Sequence, residues 1–459
     1  MSLSTSAFRP PAPVPRTARL DLFSLLPILR DNPLEAWQEA HFTQFFVRSR
    51  LPFLPALVVS EPRAVRHVLL DNAANYRKDD LLLRILSSAL AHGLLTVDGD
   101  QWRRQRRAVA PMFAPKMIQS FAPTMIEAAE ALTARWSKLE DGACVNVADE
   151  LTNLTLEILQ RTIFSDGIGP DVDRFRLAMR TYFDTIGKID LFDILRLPDF
   201  IPRPTHWPVR KALRSFDSAV DAIVRKRRKL LAEGLDEAPI DILTLLLTAS
   251  DPNTRTALSE AELRANIITF MAAGHETTAN ALTWSLFLLS HDEKWRARAA
   301  AEAKRFRIGE GDPCAGLDVI RAVVEEALRL YPPIAAISRV AIKDDEVCGE
   351  PVKRGTMVIV APYVLQRHRK LWADPDVFDP SRFLAGAREA IPRFAYLPFG
   401  GGPRTCVGAG FALQEAMLVL ATILKEFELT VAEGTIVQPL LRITLRPRDG
   451  LPMRVGRVR

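Results

Sequence analysis

The sequence predicts a mainly α, α+β fold in one domain spanning residues 1–459, and three observations carry that prediction. A capping box, Ser259-Glu260-Ala261-Glu262, opens a helix that meets no proline before Ser290. An apolar run from Ala409 to Phe427 reads as a second long helix. Between Pro115 and Ala238 the chain reads as successive amphipathic helices, broken near Ser165 to Pro170 and Pro198 to Pro208, whereas strand-like runs such as Ala56–Ser60 and Thr356–Ala361 are short. Length alone would allow about three domains. No linker marks a split, and a hydrophobic content of 48% supplies a large core.

Charge and cysteine usage narrow the function classes. A net charge of +6, from 61 basic and 55 acidic residues, leaves no global basic footprint and argues against nucleic acid as a partner. Cys144, Cys314, Cys348 and Cys406 are widely scattered, which fits a reducing, cytoplasmic compartment and no disulfide framework. Residues 1–35 read as an irregular, proline-rich lead. Met1 to Arg30 has no apolar run of about 18 residues and is interrupted by Pro10, Pro11, Pro13 and Pro15, so neither signal peptide nor membrane anchor is expected.

Taken in order, Ala56–Ser60 predicts a strand and Pro62–Asp71 a short helix, followed by an irregular apolar stretch from Lys78 to Thr96. Asp98-Gly99-Asp100 places acids at the start of the next helix, where they suit its dipole, and Trp102 and Arg106 share a face four residues apart. The basic run Arg225-Lys226-Arg227-Arg228-Lys229 is followed at once by Glu233, Asp236 and Glu237, so it reads as a solvated helix end. The helix after Ser259 should run about 30 residues, or about 45 Å. On its wheel Asn266, Phe270, Ala273, Gly274, Ala281 and Trp284 lie within about 60° of Thr277, a face with large ends and a small-residue notch. Gly274 costs about 1 kcal/mol relative to alanine and so needs a reason, such as a small ligand meeting the backbone. His275 falls about 160° from Thr277 and should face away. In the helix Val319–Leu330, Glu326 sits on the apolar face with Val323 and Leu330 and must find a cation; Arg329, three residues on, is within reach.

The stretch Phe399-Gly400-Gly401-Gly402-Pro403-Arg404-Thr405-Cys406-Val407-Gly408 places a thiol at the end of a glycine-rich turn, directly before a helix. The helix dipole and unpaired N–H groups favour the thiolate there. Four uses compete. A phosphate loop would need a lysine after Gly408, and a zinc site would need Cys or His partners at short spacing; neither is present. A cysteine nucleophile needs a base that the sequence does not specify. An axial thiolate on haem iron needs one cysteine, a tight turn and a cation for the propionates, which Arg404 supplies.

Residues 399–408 resemble the haem-binding signature Phe-Gly-x-Gly-x-Arg-x-Cys-x-Gly of the cytochrome P-450 family at every fixed position, and the resemblance covers roughly residues 50–450. It implies that family's fold and haem b (iron protoporphyrin IX), with Cys406 as the metal ligand and Phe399 and Gly400 shaping its loop. Arg404, Arg339, Trp102 and Arg106 are then expected on the propionates. Ala273-Gly274-His275-Glu276-Thr277-Thr278 resembles the family's oxygen-binding motif, which implies Ala273 and Gly274 against the haem and Glu276 and Thr277 as catalytic residues. An alcohol beside an acid suits the chemistry, because dioxygen must receive two protons before its O–O bond breaks. Glu326-Ala327-Leu328-Arg329 resembles the family's Glu-x-x-Arg pair, completed by Arg382 in Pro380-Ser381-Arg382-Phe383, where Ser381 replaces the usual glutamate.

The resemblance further implies a monooxygenase that hydroxylates or epoxidises an apolar substrate, with electrons from NAD(P)H through a separate ferredoxin or flavodoxin and its reductase; no fused reductase module is read in the chain. Ile334 to Ile337 and the alanines 272, 273, 281, 335 and 336 suggest a roomy apolar cavity, for a fatty acid, a terpenoid or steroid, or an aromatic compound. A peroxygenase or isomerase on the same fold, or a non-catalytic haem sensor, are the alternatives, and the Glu276-Thr277 pair counts against them. Arg103, Arg104 and Arg107 are expected to form a basic docking face for an acidic electron donor.

Overall fold

The computed structural model describes residues 8–18, 20–49, 55–80, 83, 92–165, 207–234, 239–307, 309 and 311–458, and the chain divides into two compact units. The first comprises Met1–Asp79, Met125–Leu154 and Thr277–Arg459. Among the described residues it holds every strand: β1 (Phe46–Arg48), β2 (Ala56–Val59), β3 (Tyr76–Lys78), β4 (Ala143–Asn146), β5 (Ile337–Ala341) and β6 (Asp345–Val347). These are followed by β7 (Glu350–Val352), β8 (Met357–Val360), β9 (Phe427–Val431), β10 (Pro439–Leu441), β11 (Leu445–Pro447) and β12 (Pro452–Arg457).

Five strands form a sheet in the order β1-β2-β8-β5-β3, and β4-β12-β9 form a second sheet; β6–β7 and β10–β11 are hairpins. All four residues of β2 are buried, as its short β-branched run requires, with Leu57 opposite Val358 of its parallel neighbour β8. The core beneath this sheet, Leu57, Val59, Val358 and Val360, continues through Leu69, Phe394 and Leu397. That continuity carries the sheet core up to the loop that presents Cys406. Pro62 opens the expected helix, but only Pro62–Arg66 is α-helical; His67–Asp71 widens to a π turn in which Asn72 N–H donates to the His67 carbonyl at 2.8 Å.

The helices of the first unit include Glu293–Arg305, Asp318–Leu330 and the cysteine helix Ala409–Glu426, which is buried almost throughout. The strand β4 was not expected between Pro115 and Ala238. Among the described residues its only ladder partner is β12, more than 300 residues away in sequence, so no local pattern could reveal it.

The second unit, Asp80–Thr124 with Thr155–Glu276, is helical in its described residues. Asp98 caps Gly99–Val109 as its position predicts, its carboxylate accepting from the Gly99 N–H at 2.8 Å. The long helix is Glu260–Ser290, and the predicted box at its start is reciprocal: Ser259 N–H donates to Glu262 Oε2 at 3.0 Å and Glu262 N–H to Ser259 Oγ at 3.3 Å. In the basic run of Trp207–Glu233, Arg225, Lys226, Arg228 and Lys229 are exposed. Arg227 is not solvated: it is buried and donates to Asp241 at 2.5 Å and to the Phe164 carbonyl at 3.2 Å. Most of the apolar stretch expected between Lys78 and Thr96, and the helix breaks expected near residues 165–170 and 198–208, lie outside the described residues.

Candidate active site

The cysteine loop closes on itself through main-chain hydrogen bonds. Cys406 N–H donates to the Phe399 carbonyl at 2.9 Å, Thr405 N–H to Gly402 at 3.1 Å, and Gly400 N–H to Leu397 at 3.2 Å. Gly402 has a φ of +69°, and a Cβ there would overlap the Leu69 carbonyl oxygen, so the π turn and the loop touch backbone to backbone. Within this frame Cys406 is exposed, three residues before the cysteine helix begins. Exposure at a helix start is the setting that favours a thiolate. Cys314, by contrast, is buried, and burial pushes its thiol up to about 12.

Around the loop the first unit brings together Phe399, Gly400, Arg404 and Cys406, with β5 alongside: Ile337 Cδ1 lies 3.7 Å from where a Cβ of Gly400 would be. Arg339, also on β5, is half-buried and donates from Nη1 to the Ser338 carbonyl at 2.8 Å. The loop is tied to the helix Asp318–Leu330 by Gln366, whose Oε1 accepts from Leu397 N–H at 2.8 Å while its Nε2 donates to the Leu328 and Arg329 carbonyls, each at 3.0 Å. Sequence reasoning missed Gln366. The only local signal is a polar residue directly after the buried helix Pro362–Leu365.

Glu326 and Arg329 are both fully buried, as the helical wheel requires. Their contact is bidentate, Nε to Oε2 at 2.6 Å and Nη2 to Oε1 at 2.8 Å. Arg382 Nε stands 3.7 Å from the same carboxylate, and Asp379 N–H donates to it at 2.8 Å. The departure at Ser381 leaves this triad in place; Ser381 instead donates to the Asp379 carboxylate.

In the long helix every residue from Ala265 to Leu289 is buried except Ala273, Gly274 and Thr277. Those three lie on one face, so the predicted notch is the one place where the helix surface opens. Gly274 has a packing reason as well: a Cβ would come within 2.9 Å of Leu159 Cδ1. His275 is buried and faces away from the notch, its Nδ1 3.0 Å from the Met271 carbonyl; burial pushes it down to about 4. Glu276 is buried. Of the alanines expected to line a cavity, Ala272, Ala281 and Ala335 are packed in the core, whereas Ala273 and Ala336 are exposed. A second residue that sequence reasoning missed is Glu415 on the cysteine helix, where burial pushes the carboxyl well above its usual range and the Thr278 hydroxyl acts in the opposite sense.

Trp102 and Arg106 are both half-buried on Gly99–Val109. The arginines between and beside them, expected as a docking face, are each paired with an acid. Arg104 pairs with Glu262, and Arg107 grips the fully buried Asp251 through Nε at 2.8 Å and Nη2 at 2.7 Å. Arg103 pairs with exposed Asp100 one turn earlier. Their charges are matched inside the second unit, so the patch carries no excess for a partner.

The family model described as Cytochrome P450 matches residues 10–450. The chain is similar to a Streptomyces melanosporofaciens protein, cyclooctat-9-en-7-ol 5-monooxygenase, at 31% identity over 85% of this chain and 83% of the relative. It is similar to the Mus musculus leukotriene-B4 omega-hydroxylase 3 at 28% identity over 88% and 81% respectively. Among solved structures, the crystal structure of the cytochrome P450DA heme domain superposes with a TM-score of 0.84 at 27% identity, covering 98% of each chain. No helix among the described residues is long and apolar enough to cross a membrane.

Proposed function

The chain belongs to the cytochrome P450 family, whose cofactor is haem and whose reaction class is monooxygenation, and from that premise we propose that it inserts one oxygen atom of O2 into a large apolar substrate by hydroxylation or epoxidation. The donor set fits haem. Cys406 offers one exposed thiol just before a helix start, which suits a metal whose other ligands come with the cofactor. When bound, haem supplies a thiolate-ligated iron that activates dioxygen.

Each role then follows from the side chain's chemistry. Cys406 is the iron ligand, kept anionic by the helix start behind it. Phe399 and Gly400 hold the loop in shape, and Ala273 and Gly274 keep the helix surface low where a flat group must approach. Arg404 and Arg339 bind the propionates by charge and N–H donation, and the resemblance assigns Trp102 and Arg106 the same role. Thr277 holds a proton donor at its hydroxyl, and Glu276, buried behind it in sequence, passes protons to it. Electrons come from NAD(P)H through a separate ferredoxin or flavodoxin and its reductase. Four free cysteines support a reducing, cytoplasmic setting.

The observation that carries the proposal is the exposed Cys406 thiol in its closed loop. Replacing it by serine should abolish the strongly red-shifted Soret band of the reduced carbon-monoxide complex. A Cys406→Ser protein that keeps the band refutes the assignment. Consumption of NADPH with a supplied ferredoxin and reductase, in step with product, separates monooxygenation from peroxygenase, isomerase and sensor functions.

A further inference from the structure

The segment that leads into the cysteine loop is held in a conformation that it would not adopt by itself. Phe394 is buried and has a φ of +71°, in the left-handed region that a bulky side chain rarely occupies. Its ring packs under the loop: a Cβ on Gly401 would meet Phe394 Cε1 at 3.1 Å and Leu397 Cδ2 at 3.4 Å. Strain of this kind persists only where the surrounding contacts outweigh it. One of those contacts lies three residues on, where Leu397 N–H donates to Gln366 Oε1 at 2.8 Å.

Gln366 is fully buried, and both of its amide N–H groups are used, on the carbonyls of Leu328 and Arg329 at 3.0 Å each. Its main chain is held as well, since its N–H donates to the Pro362 carbonyl at 2.9 Å and its carbonyl accepts from Arg329 Nη1 at 2.8 Å. The residue is therefore a fixed post. From it the bonding runs toward the thiol: the Leu397 carbonyl accepts from Gly400 N–H, and the Phe399 carbonyl accepts from Cys406 N–H. Tyr396 ties the same segment to the same helix, but through its side chain, its hydroxyl donating to the Glu325 carbonyl at 2.9 Å.

We propose that Gln366 is a positioning residue for the reaction, a latch on the strained segment Phe394–Leu397 that keeps the Cys406 sulfur placed for the iron. This rests on the assignment of Cys406 as the iron ligand. Without the latch a buried main-chain N–H at Leu397 loses its acceptor, and the segment can relax at Phe394 and carry the turn before Cys406 with it.

The test uses the full haem-loaded chain well below its melting midpoint, with circular dichroism to establish that each variant is folded. Gln366→Met keeps the side-chain length and loses all three hydrogen bonds; Gln366→Asn keeps the amide but is one methylene too short to span both sides. Gln366→Met should lose most of the red-shifted band of the reduced carbon-monoxide complex and move the iron's reduction potential to more positive values, because the axial thiolate is what holds it low. Its haem should pass to apomyoglobin about tenfold faster than from wild type, the rate equivalent of about 1.4 kcal/mol. Gln366→Asn should lie between the two, and it decides the question alone if the methionine variant does not fold. Tyr396→Phe is the matched control, since it removes one hydrogen bond between the same segment and helix and should keep both band and potential. A folded Gln366→Met, or a Gln366→Asn, with the wild-type band and potential overturns the latch. So does a Tyr396→Phe protein that loses the band to the same extent, which would make any loosening of the segment sufficient. The ligand assignment fails separately, through a wild type without the band or a Cys406→Ser protein that keeps it.

Discussion

Removing the Glu326 carboxylate should destabilise the first unit and loosen the loop that presents Cys406. Glu326 and Arg329 are both 0% exposed, so Glu326→Ala leaves a guanidinium in the interior without its anion and leaves Asp379 N–H without its acceptor. Breaking a buried pair from one side costs about 3–5 kcal/mol. Arg329 still donates to the carbonyls of Gln366, Pro375 and Val377, which keeps the cost within that range. Unfolding entropy of about 2.1 cal/mol/K per residue over this length means that each kcal/mol moves the midpoint by about 1 °C. A loss of about 3–5 °C is therefore expected if the chain unfolds together, and more if the first unit unfolds alone. Circular dichroism melts give that shift. Haem retention after gel filtration gives the second readout, because the Arg329–Gln366–Leu397 chain of hydrogen bonds ends at the cysteine loop. The double variant Glu326→Met, Arg329→Met removes both charges and should recover much of the loss. An unchanged melting midpoint in Glu326→Ala, or a double variant worse than the single, refutes the reasoning.

Gly402→Ala should lose haem or fail to fold, since its Cβ overlaps the Leu69 carbonyl at a φ of +69°; normal haem content after purification would show that the loop can move away. His275 gives a pH dependence with a definite sign. Burial depresses it from 6.5 to about 4, so its contribution to stability is complete above about pH 6.5 and is lost, to the extent of about 3 kcal/mol, as pH falls through 4. Urea midpoints for His275→Gln should fall less steeply than wild type across that window, and parallel curves would count against a buried neutral imidazole. Thr277→Ala should keep fold and haem but release hydrogen peroxide while NADPH is consumed; unchanged coupling of NADPH to product would give the proton route to water or substrate instead.

The features that could be read in the sequence are those set by spacing within one element. The long helix, its capping box, the Ala273–Thr277 notch and the buried Glu326 all follow from a 3.6-residue period, and the structure has each of them. The cysteine loop was readable for the same reason: its glycines and thiol are contiguous, and their hydrogen bonds span only a few residues. Gln366 was not readable, because its three partners lie 31 to 38 residues away and nothing in Leu365-Gln366-Arg367 marks it. Likewise β4 is a strand only because β12 is there to pair with it.

Arginine shows most clearly where a sequence stops being informative. A guanidinium's role depends on whether a carboxylate meets it, and that carboxylate is rarely a neighbour in sequence. Arg227 is paired with Asp241, 14 residues on, Arg107 with Asp251, 144 residues on, and Arg104 with Glu262, 158 residues on. Each looked like free surface charge in its own segment, and each is neutralised in the fold. The same holds at the hairpin β10–β11. Arg442 and Arg448 form no contiguous run, so no charge pattern singles them out, yet folding brings both to Asp31, 411 and 417 residues upstream, Arg442 to its carbonyl and Arg448 to its carboxylate.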